Sequence, residues 1–576
     1  MKRQLRLNED VVFRYALGIA FLLAVWLRVY LVSDQVLIDD EWQGFYYVLG
    51  QSPGWLLTHF SIPGATCIPL NLYTWILGAT VGWSENLLRL PSLAAGILCV
   101  VVGSALARPL IGNRRAALLA LLLAVSPILI FYSRNARPYS AVAFLAFASL
   151  LLAARWMQSG DGRLGLLFAG ACVLAGYFHL FAVITVAAPF LVVCLRYAYR
   201  RFRHSTPTPG TAEPRLKHWA IAGMAVAAGS ALLIAPALLH SLHSTFFNVA
   251  LKGTFDSQSL PRVAALISGS GQTALAVVFW AATVVGMVEQ TRRNPWFGCM
   301  LLLLYPLHAL ALLASRPDAA QSAIVVTRYC IPLVPVSILF AACGIERVVE
   351  AVAARTKLKP IIQTTFAAAF VLALAVSGPL AQTYVAPNNF TGHGAFQHRY
   401  GPIDWSRSFY SDIAPKDFPL ITTIRIDEVS PFYRFLAEHP SSRPVVEYPM
   451  FIGDHFNPLY YYQHFHHRPV IVGYASNVTL AKGLAAGNIF GSTYVDQVMT
   501  LIPKAARVRF QNLVSMDDIA AMRARGAEYV ILHKAFEAQL RGVADSSPEL
   551  ERLWVEYQKQ LGPPVYSNEL IFVFRL

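Results

Sequence analysis

Charged side chains are scarce in this chain. Asp, Glu, Lys and Arg make up 14% of its 576 residues, where soluble domains run near ~25%. With 56% hydrophobic residues and a mean hydropathy of +0.48, that deficit excludes an array of soluble domains. It excludes disorder, collagen and a disulfide scaffold as well. The seven cysteines, Cys67, Cys99, Cys172, Cys194, Cys299, Cys330 and Cys343, include no CxxC pair, so a cysteine-type zinc site is not available. None follows residue 383, so the C-terminal part must fold without disulfides. The apolar N-terminal stretch lacks a small-residue cleavage site and reads as a retained first span, not a signal peptide. There is no internal repeat or extended low-complexity segment.

What is present is a series of apolar runs, each able to cross a hydrocarbon core of about 30 Å as a helix. They lie near 13–32, 91–107, 116–132, 139–154, 219–239, 273–288, 296–314, 329–345 and 361–381. The stretch 164–195 would make a single helix of about 50 Å. It is expected to fold back near Gly176-Tyr177-Phe178-His179, which gives eleven spans. The run from Ile68 to Trp83 is short and carries Asn71, Tyr73, Thr74 and Trp75, as suits an interfacial helix. With that run on the surface, the inner loops hold 21 basic residues and the outer loops 8. Counting it as a span would reverse most of that bias, against the positive-inside rule.

The expected architecture is therefore a multi-span α-helical membrane domain over 1–382 and an outer-face α/β domain over 383–576. Within the first, 33–90 is an outer loop with interfacial helices, and 200–217, with its Thr-Pro-Thr-Pro-Gly stretch, is an inner linker. The formal charge of +15 lies entirely in the first part; residues 383–576 hold 18 basic and 18 acidic groups. Because the basic excess sits in short loops and forms no stripe interleaved with aromatics, nucleic acid is not an expected partner. Strands are expected at 444–448, 468–472, 528–533 and 570–574, and a helix at 515–526.

Groups suited to chemistry gather on the outer side. Asp39-Asp40-Glu41 follows the first span. Three adjacent carboxylates repel one another, which raises at least one pKa and suits a base; the bland reading is a solvated juxtamembrane cluster. Arg134, Arg137 and Tyr139 form a second group, with Pro138 fixing the start of the next helix. Arg328-Tyr329, opening the tenth span, repeats the pattern. Arginine offers a fork matched to phosphate oxygens, and the alternative is snorkelling to lipid headgroups. Arg89 is a further candidate, with Glu85 as its expected partner. His179 sits at a turn and is either a packing residue or a ligand. The tract Asp454-His455 … His464-Phe465-His466-His467 suits either a packed aromatic surface or a metal. Asn389 and Asn477 are sequons by pattern only.

Taken in order, these residues resemble a known superfamily. A first span is followed by an outer Asp-Glu, an amphipathic segment and Trp-Ser-Glu … Leu-Arg-Leu-Pro. Then come Tyr-Ser-Arg … Ala-Arg-Pro-Tyr, a Tyr-Phe-His turn and a late Arg-Tyr … Pro … Pro. The set is similar to the GT-C glycosyltransferases, near their protein O-mannosyltransferase and aminoarabinose transferase branch, over residues 10–350. The resemblance implies transfer of a sugar from a polyprenyl-phosphate lipid to an acceptor hydroxyl, with inversion, on the outer face of the inner (cytoplasmic) membrane. It implies Asp40 as the general base, with Glu41 completing the acidic pair and Asp39 an extra neighbour. Arg137 and Arg328 would hold the donor phosphate, with Arg134, Tyr139 and Tyr329 beside them. The acceptor is left open among lipid, polysaccharide and protein, as is dependence on a divalent metal. The rival classes are a transporter or flippase of lipid-linked sugars and a non-catalytic envelope assembly protein. A transporter needs ionisable groups in mid-span, and the spans here are almost free of them.

Overall fold

The computed structural model describes residues 2–35, 41, 48, 50–60, 67–202, 214, 216–241, 259–317, 323–356, 360–384, 430–448, 466–468, 470–471, 516–524, 526–533, 548–568 and 571–576. Seven of the described helices are long and apolar enough to cross a membrane. They are α1 (Lys2–Val29), α4 (Glu85–Ile111), α7 (Tyr139–Ser159), α9 (Ala182–Phe202), α10 (Leu216–His240), α12 (Thr273–Arg293) and α13 (Pro295–Ser315). Two further spans are broken: α5 (Asn113–Ala124) with α6 (Pro127–Ser133) bends by 58°, and α14 (Ala323–Tyr329) with α15 (Leu333–Thr356) by 85°. The apolar helices α8 (Gly162–Phe178), α11 (Ser259–Ser268) and α16 (Pro360–Ser377) are shorter, so the described residues hold seven to nine candidate spans where the sequence suggested eleven.

The fold-back falls where it was expected, since α8 ends at Phe178 and His179 caps it. The helices α2 (Pro53–Thr58) and α3 (Ile68–Ala79) are short. At 1.5 Å per residue α3 rises only about 18 Å, too little to span. Two expectations need correction. The run 116–132 is not one straight helix, because Pro127 supplies no N–H and starts a new one at α6. Arg328 and Tyr329 do not open the tenth span: they close the short α14, ahead of the bend, and the long helix begins at Leu333.

Packing in the bundle is closest where α12 crosses α15. A Cβ on Gly286 would lie 1.8 Å from the Phe340 carbonyl oxygen, and one on Gly344 would lie 1.8 Å from that of Ala282. Only glycine lets the two backbones approach so closely. One end of the bundle is tied by charge. Arg108 pairs with Asp10, which also accepts from Asn113, and Arg114 pairs with Glu9. Arg115 reaches Glu289 and Glu350, and Arg347 reaches Glu289. These groups come from the loops that were expected to share the inner side. At the far end of the bundle, α17 (Pro379–Tyr384) places the Tyr384 hydroxyl on the Leu27 carbonyl, with its ring against Trp26 and Tyr30.

The C-terminal part holds a mixed five-stranded sheet in the order β2-β1-β3-β5-β4. Its strands are β1 (Val445–Tyr448), β2 (Val470–Ile471), β3 (Tyr529–His533), β4 (Tyr566–Ser567) and β5 (Ile571–Arg575). The first three in that order run parallel; β5 is antiparallel to β3, and β4 to β5. Alternation along the strands builds two cores. Val446, Val530, Leu532 and Phe574 pack with α19 (Met516–Ala524) and α20 (Pro548–Leu561). Val445, Tyr529, Ile531 and Val573 pack with α18 (Pro431–Glu438). Helices thus cover both faces of the sheet, as an α/β reading requires. Arg468 bonds Glu528 at 2.9 Å and the His439 carbonyl.

Candidate active site

Two adjoining groups form around the loop between α6 and α7. The first is built on Glu41, whose side chain is fully buried with that of Arg89. Arg89 donates from Nε to Oε1 and from Nη2 to Oε2, both at 2.9 Å, and from Nη1 to the Gln35 carbonyl at 2.5 Å. The Ala136 N–H donates to the same Glu41 Oε1 at 2.7 Å. Arg89 therefore pairs with Glu41, 48 residues away, and not with Glu85 as the sequence suggested. The physical reason is depth: Glu85 sits half-buried in the first turn of α4, whereas Arg89, one turn on, is fully buried with its fork taken by Glu41 and the Gln35 carbonyl. Asp39 and Asp40 lie outside the described residues.

Arg134 ties the same loop to the end of α1. It donates to Gln35 Oε1 at 3.0 and 3.2 Å and to the carbonyls of Arg28 and Tyr30 at 2.9 and 2.7 Å. Most of its fork is thus committed to protein groups. Arg28 lies beneath it, fully buried, donating to Ser133 Oγ at 3.1 Å and to the Ala24 and Ala124 carbonyls at 3.3 Å. Gly96 makes room for this pair, since a Cβ there would fall 2.0 Å from Ser133 Oγ. Sequence reasoning passed over Arg28, Gln35 and Ser133. The available signal was a charged residue inside an apolar span, which is costly unless partnered.

The second group brings together the remaining candidates. Arg328 stacks over the rings of Tyr139 and Tyr329, its guanidinium carbon 5.5 Å from each centroid. The His179 ring lies 5.9 Å from Tyr139 and 6.1 Å from Tyr329. His179 Nδ1 accepts the Phe181 N–H at 3.2 Å, which leaves the ring proton on Nε2. Burial, and then the nearby charges of Arg328 and Arg137, push this imidazole down from its ordinary 6.5 to about 3. It is neutral at physiological pH. Arg137 is buried, and its carbonyl accepts from Ser92 Oγ at 2.9 Å. The two broken spans meet here through Tyr132, whose hydroxyl donates to the Ile324 carbonyl at 3.3 Å.

The arrangement sets at least two guanidinium groups, two phenols and a neutral imidazole beside a buried carboxylate anchor. Such a group can bind and stabilise an anion. Among the described residues no three His, Cys, Asp or Glu side chains converge on a metal position. In the C-terminal tract, Asp454, His455, His464 and Phe465 lie outside the described residues. His466 accepts the Arg468 N–H and stacks on Tyr433.

The fold is similar to that of ArnT. The structure of ArnT from Cupriavidus metallidurans in the apo state matches with a TM-score of 0.49 and 12% identity, over 98% of this chain and 97% of that one. The same protein bound to undecaprenyl phosphate matches with a TM-score of 0.48 and 13% identity, over 98% and 97%. The archaeal oligosaccharyltransferase AglB from Archaeoglobus fulgidus, in complex with an inhibitory peptide and a dolichol-phosphate, matches with a TM-score of 0.41 and 13% identity. It covers 91% of this chain and 70% of that one. Both proteins are members of the GT-C superfamily. No protein-family model and no curated protein matches the sequence.

Proposed function

We propose that this protein is an integral membrane glycosyltransferase that moves a sugar from a polyprenyl-phosphate donor to an acceptor hydroxyl. Its site faces the periplasmic side of the inner membrane. The observation that carries the reading is the meeting of Arg137, Arg328, Tyr139, Tyr329 and His179 beside the loop that Glu41 and Arg89 hold in place. In the reaction, the acceptor oxygen attacks the anomeric carbon and the bond from that carbon to the phosphate oxygen breaks. The electron pair leaves with the polyprenyl phosphate, and the acceptor proton passes to Asp40. A single displacement of this kind inverts the anomeric centre.

The leaving phosphate gains charge as that bond breaks, so cations aimed at it favour the transition state over the ground state. Arg328 and Arg137 fill this role. The neutral His179 adds an Nε2–H donor without a further charge. Glu41, with both carboxylate oxygens bonded to Arg89, serves to position the loop rather than to take the proton. That leaves Asp40, one peptide bond away, as the base, with Asp39 its nearest substitute. The test is sugar transfer from a radiolabelled polyprenyl-phosphate sugar by the purified protein in detergent. Asp40→Asn should lower turnover about 10²-fold or more while donor binding is kept. A protein that carries the lipid across vesicles but never breaks the sugar–phosphate bond is a flippase, and that outcome sinks the proposal.

A further inference from the structure

We infer that the amides of Asn135 and Asn71 read hydroxyl groups on the sugar of the donor, the part of the lipid that the arginines cannot recognise. The inference rests on the glycosyltransferase reading and adds a substrate class to it: a neutral sugar that presents free hydroxyls.

Asn135 lies between two tethered residues of the site loop. Arg134 is bonded to the end of α1, and Ala136 is bonded to Glu41. The backbone closes tightly here, with the Arg137 N–H on the Asn135 carbonyl at 2.7 Å. The Asn135 side chain is 6% exposed as part of its residue, and its Oδ1 has no hydrogen-bond partner. Asn71 is 3% exposed, and its Nδ2 likewise has none. It lies one turn after Cys67, and residues four apart share a helix face. Cys67 is buried within electrostatic reach of Arg137. Ile68, on the same turn, packs with Tyr177, two residues before His179.

Two buried amides, one in the site loop and one a turn beyond the residue that feels Arg137, thus hold unspent hydrogen-bonding capacity, one an acceptor and one a donor. Buried polar groups left without partners weaken a fold, and most are paired. A phosphate only accepts and would satisfy Asn71 alone. An ammonium only donates and would satisfy Asn135 alone. A hydroxyl does both, and it suits either amide whichever way it is turned. Sites that hydrogen-bond a substrate hydroxyl reject analogues that lack it far more strongly than apolar pockets reject a missing methylene. The pair is therefore placed to discriminate among sugars, while the arginines hold the phosphate common to all of them.

The experiment measures binding of the full chain in detergent, by displacement of a fluorescent undecaprenyl phosphate. The competitors are undecaprenyl phosphate, its mannosyl and glucosyl derivatives, and deoxy and amino analogues of each. Wild type should bind at least one neutral sugar lipid on the order of tenfold more tightly than the bare lipid, and should lose that margin with a deoxy or amino analogue. Asn135→Ala and Asn71→Ala should remove the margin while binding of bare undecaprenyl phosphate stays within about twofold. The wild-type comparison needs no variant, so a poorly folding substitution does not spare the inference. Equal binding of bare and sugar-bearing lipids by wild type would assign the amides to buried water and overturn it. So would a margin unchanged in both variants, or a preference for the amino sugars. Transfer, measured in parallel, judges the parent reading separately: discriminating binding without transfer keeps the sugar-reading pair and removes the enzyme.

Discussion

Deleting the Arg89 guanidinium while leaving Glu41 in place tests how the site is held. Arg89→Met keeps an apolar stem but removes two bonds to Glu41 and one to the Gln35 carbonyl. Both side chains are 0% exposed. The stranded carboxylate cannot turn to water, and the Ala136 N–H cannot neutralise it. Breaking a buried ion pair in this way costs about 3–5 kcal/mol. Removing both charges, with Arg89→Met and Glu41→Leu together, should recover most of that, to within about 1–2 kcal/mol of wild type, because no charge stays stranded. An SDS unfolding titration in mixed micelles reads both differences. Turnover should not recover with stability. In the double variant the Ala136 N–H has lost its acceptor, and the loop bearing Arg134 and Arg137 is no longer fastened to residue 41. A coupling energy near zero would refute the pairing. Full transfer by the double variant would refute the claim that the pair positions the site.

Three further outcomes follow from the geometry. Gly344→Ala puts a methyl carbon 1.8 Å from the Ala282 carbonyl oxygen and should lower the melting temperature and the yield in detergent; Gly170→Ala, with nothing within 4 Å, is the control. His179 is held neutral, with its pKa depressed to about 3, so the unfolded chain binds a proton that the folded one refuses. Stability from this group is full above about pH 6.5 and falls as pH drops toward 3; His179→Gln should flatten that acid-side slope in melts taken from pH 7 to 4. Arg328→Lys should lose turnover on the order of tenfold or more with little change in melting temperature, because a point charge replaces a planar fork. Arg137→Lys should do so more mildly, and full transfer by Arg328→Lys at saturating donor would make the residue a headgroup anchor.

The sequence made some features legible and hid others, for reasons that differ from residue to residue. The strands at 445–448 and 529–533 were readable because a β-rich run between turn residues has a local cause. Arg137, Tyr139, His179, Arg328 and Tyr329 were readable as residue types unusual beside apolar runs. Their meeting was implied only by the resemblance and not by the residues themselves, because it depends on the 58° and 85° bends. Pro127 marks the first bend openly. The second falls between Tyr329 and Leu333, where Pro332 carries the same signal inside a run that reads as one span by hydropathy. Arg89 was misassigned because a neighbour in sequence is the default guess for an ion pair, and the true partner lies 48 residues away. Asn71 and Asn135 were invisible as a pair, since only burial without partners marks them out.

The broken spans also explain how cations are kept at the edge of an apolar bundle. Helices end with unsatisfied carbonyls and a partial negative charge, so a cation is favoured at a C-terminus. Two helix ends here carry an arginine. Arg134 caps α6, its N–H on the carbonyls of Ile130 and Phe131, and Arg328 sits in the last turn of α14. An unbroken helix would carry those carbonyls onward into its own ladder and would leave the arginines to the surrounding lipid. Breaking the helix inside the protein is tolerable where the freed backbone is buried by neighbours, and here Tyr132 links one half-helix to the other through the Ile324 carbonyl. The two C-termini are thus brought to one place, Arg328 in the last turn of α14 and Arg134 at the end of α6 with its guanidinium on the carbonyls that close α1. Straightening either break should disperse the cations even with every arginine retained. For the proposed chemistry, the bends are therefore as necessary as the residues they carry.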